Sequence, residues 1–209
     1  MTGTHRAPPL PGPPRPAAAA RAVADAAQAA ASGWAQPLEP EAHGRAVSQL
    51  HSVLRDLGVA SRGLAAYHTT GTLPGTVPAG FRRHVESGSG WLLSAWECLD
   101  GILAAEGLAP SGDPDEPGAA LCQAAHTAIL AWRKPEGTAA DRDETVRQLV
   151  TAAGFLSAAT LGLADWAPRQ LTLDLHTAGN YVAEAIASLS AAVRPPGESP
   201  ASERQDRAR

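Results

Sequence analysis

AVSQLHSVLRDLGVASRGLAAY, residues 46–67, decides the fold class. Val47, Leu50, Leu54, Leu57 and Leu64 recur on a three- and four-residue spacing, and Tyr67 closes the row. Side chains so spaced share one face of an α-helix, so the stretch is the seam of an amphipathic helix of about 27 residues starting near Pro40. A strand would need alternation with period two, which no stretch of the chain keeps over a useful length.

The same spacing recurs downstream. Phe81, Val85, Leu92, Trp96, Leu99 and Leu103 form a second seam, with Trp91 just off it. Leu121, Cys122, Ile129 and Trp132 form a third, shorter one within residues 119–133. Thr138 has the chemistry of an N-cap, with Asp141, Asp143 and Glu144 in the turn behind it, where carboxylates suit the positive helix end. That helix carries Val146, Leu149, Val150, Leu156, Leu163 and Trp166. Pro168 interrupts it, and a last helix runs through Leu171, Leu175, Val182, Ile186, Leu189 and Val193. The reading is an all-α, up-and-down antiparallel bundle of four long helices plus one shorter helix, with no internal repeat.

Upstream, MTGTHRAPPLPGPPRP (1–16) is too proline-rich for anything but coil or polyproline II. AAAARAVADAAQAAA (17–31) has high helix propensity but almost no large apolar side chains, so it predicts a marginal helix that buries little. The expected organisation is a disordered Pro/Ala-rich segment at 1–38, a bundle domain at 39–194 and a disordered charged tail at 195–209.

At 209 residues the chain suits one domain that needs no disulfide or metal to hold its core. Cys98 and Cys122 fall inside helical patterns and read as reduced, buried thiols. A net charge of −4 leaves no basic footprint for nucleic acid. The longest strongly apolar run, 152–164, is too short to span a bilayer, and no signal-type apolar core opens the chain. The expectation is a soluble cytoplasmic protein with no membrane contact. Lys134 is the single lysine among 17 basic residues, and alanine, glycine and proline are abundant. In that composition and layout the chain resembles the helical proteins of unassigned activity encoded by streptomycete-type actinomycetes, a resemblance that implies no chemistry.

Chemistry is sought first in AYHTTGTLPGTVPAGFRRH (66–84), a Thr/Gly/Pro-rich loop that runs into a helix start. Helix N-termini bind anions, and two arginines there oppose the helix dipole unless something negative compensates them. Thr69, Thr70, Arg82, Arg83 and His84 are therefore candidate anion ligands. It is not a nucleotide loop: Gly71 and Gly75 are four apart rather than five, and Thr76-Val77 stands where Lys and Ser/Thr belong.

A second candidate is a polar stripe. His176, Asn180 and Glu184 share a face of the last helix, as His51 and Arg55 do on the first long one; turned inward together they would line a pocket for acid–base work. TVRQLVTAAGFLSAATLGL (145–163) resembles the helix-turn-helix of repressor families, which implies DNA binding. It departs in spacing at Thr160, and its second helix offers little to read base edges. No histidine follows a Glu by three residues, HExxH is absent, and neither cysteine opens a helix beside a histidine, so no metal, cofactor or catalytic nucleophile is expected. The reading that remains is a non-enzymatic interaction or accessory protein, with a protein partner or a second copy as its target. The runner-up is a small-molecule or anion-binding bundle, enzymatic or not, that uses the 68–84 loop.

Overall fold

The computed structural model describes residues 15–69, 79–106, 116 and 118–193. Residues 1–14 of the proline-rich segment and the whole 195–209 tail lie outside the described residues. The described residues form six helices: α1 (Pro16–Trp34), α2 (Pro40–Leu64), α3 (Ala79–Glu106), α4 (Ala119–Ala131), α5 (Ala139–Trp166) and α6 (Arg169–Ala192). A two-residue parallel ladder, His68–Thr69 (β1) with Glu136–Gly137 (β2), ties the α2–α3 connection to the α4–α5 connection.

Local chemistry sets the helix starts. Pro16 and Pro40 occupy first-turn positions, where a missing N–H costs nothing and a fixed φ helps. Thr138 and Asp141 form a reciprocal box: Asp141 N donates to Thr138 Oγ1 (3.1 Å) and Thr138 N donates to Asp141 Oδ2 (2.9 Å). Such a box satisfies two otherwise free N–H groups and stabilises a helix by about 1 kcal/mol. From there α5 runs unbroken through Gly154 to Trp166.

The N-terminal region differs from expectation. Residues 17–31 are the body of α1, and Ala19, Ala20, Val23, Ala24, Ala27 and Ala30 are all buried, with Trp34 closing the row. Each alanine contributes little area. A continuous face of them, however, lets α1 lie close to α4 and α5, because interaxial distance follows side-chain size at the contact. The core therefore begins at α1, and the bundle has five long helices and one short one.

The packing order also departs from simple succession. α2 packs on α3 and α5 on α6, as hairpins, but α1 lies against α5 and α4, and α2 lies against α4. α6 packs on α3, and α2 meets α5 across the middle. The result is two layers of three helices, α1–α5–α6 and α4–α2–α3, with α5 and α2 central. Gly118 lies against Gln49 and Gly63 against Trp132, pairs separated by the same sequence interval, so α2 and α4 run parallel. Leu50, Leu54, Leu57 and Leu64 of the α2 seam are fully buried between the layers, with Leu149, Leu156 and Leu163 of α5.

α5 is the one helix among the described residues long and apolar enough to cross a membrane by length and composition. Here it is the middle helix of a layer, covered by α1, α6 and α2.

Candidate functional site

The anion candidates sit at the start of α3. Arg82 Nε donates to Glu86 Oε1 at 2.7 Å, one turn along the same helix. That carboxylate supplies the compensation the dipole argument demanded. Arg83 is exposed and His84 is half-buried, its ring packed near Gly80. Thr69 belongs to the β1–β2 ladder, and Thr70 lies outside the described residues.

The polar stripes do not meet. His176, Asn180 and Glu184 are exposed on α6. His51 Nε2 pairs with Asp100 Oδ1 of α3 at 3.2 Å, with its ring tilted against Trp96 at 5.7 Å. Burial pushes the His51 imidazole below its usual pKa, and the Asp100 hydrogen bond only partly opposes this. Arg55 turns to its neighbour Asp56, Nε to Oδ1 at 3.0 Å.

A denser polar cluster lies where α2 runs beside α4. Asp56 is buried; it accepts from Arg55 on one oxygen and has His126 Nδ1 3.8 Å from the other. Further along the seam, Glu116 takes Arg45 and Gln49, and Cys122 Sγ donates to the Gln49 carbonyl at 3.7 Å. Burial, reinforced by the Asp56 and Glu116 carboxylates, pushes the Cys122 thiol up to about 11. A protonated thiol is a poor nucleophile, so a cysteine beside a histidine–aspartate pair here lacks the electrostatics of a catalytic one. Cys98 is likewise free and raised by burial, and its Sγ donates to the Asp174 carbonyl at 3.5 Å.

A cavity of about 640 Å³ opens where the α4–α5 connection faces the start of α1. Pro16, Ala17, Ala18 and Ala131 give it an apolar wall, and Arg15, Lys134, Thr138 and Asp141 a polar rim. Glu136 and Gly137 of β2 line it too, so the ladder brings the beginning of the 68–84 loop to its edge. Its size is that of ordinary small-ligand pockets.

Among the described residues no group of three or more His, Cys, Asp or Glu side chains is placed to hold a metal ion. The stretch resembling a helix-turn-helix is continuous helix in α5, with Thr145, Leu149, Leu156 and Thr160 buried rather than presented to a groove. The chain matches no protein-family model, no curated protein and no solved structure.

Sequence reasoning overlooked both the α2–α4 seam and the cavity. The signal for the seam was present: Gln49, Asp56 and Arg45 lie on the flank of the α2 seam, and Cys122 and His126 stand one turn apart on α4. What linked them, the parallel pairing of α2 with α4, has no signature within either helix.

Proposed function

We propose that this protein is a non-enzymatic interaction or accessory module whose target is another protein or a second copy of itself. One observation carries the reading. Three of the large apolar side chains left in solvent fall on the α5–α6 hairpin: Leu161 is 42% exposed, Trp166 51% and Leu173 72%. Apolar side chains held in water on a rigid hairpin are a common form of protein-recognition surface. Trp91, the tryptophan off the α3 seam, is not among them; it stacks on Tyr181 between α3 and α6. Light scattering across a concentration series, on the full chain and on Leu173→Asp and Trp166→Ser, tests the reading. A concentration-dependent rise in mass that both substitutions abolish supports self-recognition. A monomer at every concentration, with neither substitution altering capture of any purified partner, removes the hairpin as a docking surface.

A second reading, a small-molecule or anion-binding bundle, is favoured by the cavity between Arg15 and Lys134 at the edge of the 68–84 loop. Phosphate and simple carboxylates are the probes. A thermal shift lost in Lys134→Ala places the ligand in the cavity, one lost in Arg82→Ala/Arg83→Ala places it at the start of α3, and no shift with either probe rejects the anion reading.

A further inference from the structure

We infer that the chain is two copies of one three-helix module, α1–α2–α3 and α4–α5–α6, joined in tandem, and that each module's packing surface is built for a second copy of itself. The inference does not depend on the functional reading above.

The two halves align helix by helix. AVSQLHSVLRDLGVASRGLA (46–65) in α2 faces TVRQLVTAAGFLSAATLGLA (145–164) in α5, with eight of twenty positions identical. Helical periodicity alone would repeat the leucines. It does not demand Gln49 with Gln148, Gly63 with Gly162 or Ala65 with Ala164. In α1, Val23, Ala27, Ala30 and Trp34 are buried; in α4, at one constant spacing, Leu121, Ala125, Ala128 and Trp132 are buried. Each tryptophan is followed three residues later by a proline, Pro37 and Pro135. Val85, Leu92, Ala95 and Leu99 of α3 correspond in the same way to Leu175, Val182, Ala185 and Leu189 of α6, all fully buried.

The packing obeys the same exchange. Swapping the halves turns the α1–α5 contact into α4–α2 and the α2–α3 contact into α5–α6, while α1–α4, α2–α5 and α3–α6 map onto themselves. Gly63 faces the main-chain oxygen of Trp132, and Gly162 faces that of Trp34. Ser61 Oγ donates to the Leu57 carbonyl at 2.6 Å, and its counterpart Thr160 Oγ1 donates to Leu156 at 2.7 Å. Where the two-fold axis crosses α3–α6, equivalent rings meet: Trp91 and Tyr181 stack at 5.7 Å with an interplanar angle of 19°. Where it leaves between α1 and α4, a groove of about 470 Å³ is lined by the equivalent pairs Ala22 with Ala120 and Ala26 with Ala124.

Each module gives its first helix to the other, since α1 lies on α5 and α4 on α2. The partner that fits this surface is the module itself. The halves depart from symmetry chiefly at their connections, where the β1–β2 ladder has no counterpart among the described residues, and on their surface. The α2–α3 connection holds the Thr/Gly/Pro-rich insertion, whereas α5 and α6 are joined by Ala167–Pro168. The exposed Leu161 and Leu173 stand where the first module has Arg62 and Arg83.

Two measurements on the folded chain test the inference. A protease site placed within 107–115 and cut after folding should leave a one-to-one complex with unchanged helical circular dichroism and an unfolding midpoint that rises with protein concentration. Separation of the halves under native conditions overturns the claim. The second is a circular permutant opened within 107–115, with Val193 joined to Arg15 through a copy of residues 104–117. Equivalence of the modules puts that join within the same reach as the native one. It should unfold as cooperatively as residues 15–193 in native order. Loss of cooperative unfolding in the permutant alone, with the native-order control intact, overturns the equivalence.

Discussion

Gly63 sits directly against the main-chain oxygen of Trp132, so close that a methyl group there would fall inside the carbonyl's van der Waals envelope. The contact is backbone on backbone, and neither side can rotate away. Gly63→Ala should cost about 1–3 kcal/mol, the usual range for overpacking a rigid contact. The counterpart Gly162 leaves 3.6 Å to the Trp34 oxygen, an ordinary contact. Gly162→Ala should therefore be neutral or stabilise by up to about 1 kcal/mol through helix propensity. Urea denaturation of both variants checks the contrast; equal losses would mean that α1 and α4 approach their partners alike.

Trp34 and Trp132 fill the ends of α1 and α4, and both are fully buried. Trp132 Nε1 also donates to the Pro16 carbonyl at 3.1 Å, so this side chain fastens α4 to the start of α1. Each truncation to alanine should cost about 3–5 kcal/mol. A loss under about 1 kcal/mol for Trp34→Ala would return α1 to the status of an appended, non-core helix.

The His51 imidazole is held below its usual value by burial. As pH falls below about 6.5, the unfolded chain takes up that proton before the folded one does. Stability should decline with acidification from there, levelling once the folded-state imidazole is itself protonated. His51→Gln should flatten this part of the profile while leaving the carboxylate-dependent loss at lower pH. A profile unchanged by the substitution would mean that the Asp100 pair cancels the burial.

The Cys122 thiol, at about 11, carries roughly one thiolate per thousand molecules at pH 8. Alkylation by iodoacetamide should therefore be far slower in the native protein than in urea. Alkylation at the rate of an unfolded thiol would show that the α2–α4 seam opens readily.

The long helices were readable because leucine seams survive in sequence. The chain from Pro40 divides into helices near the expected positions, and Thr138 caps α5 as its chemistry suggested. α1 was misjudged because side-chain bulk was taken as the measure of burial, and alanine buries by proximity instead. The repeat was hidden by unequal connections: the spacing between equivalent residues changes from helix to helix, so only α2 and α5 retain overt identity. The dipole argument for the anion candidates turned on Arg82 and Arg83, and the i+4 carboxylate of Glu86 was the unweighed partner.

The exchange of first helices also has a temporal side. Arg21 of α1 pairs with Glu144 of α5, 123 residues further on, and His43 of α2 donates to the Leu163 carbonyl 120 residues away at 2.9 Å. During synthesis at about 5–20 residues per second, α1 leaves the ribosome many seconds before its principal groove exists. Its apolar face is mostly alanine, the least adhesive surface a core helix can present while it waits. The composition that concealed α1 in the sequence also suits a nascent segment that must stay unpaired longest: the α4–α2–α3 layer can assemble once α4 is made, and the layer that holds α1 must await α5 and α6.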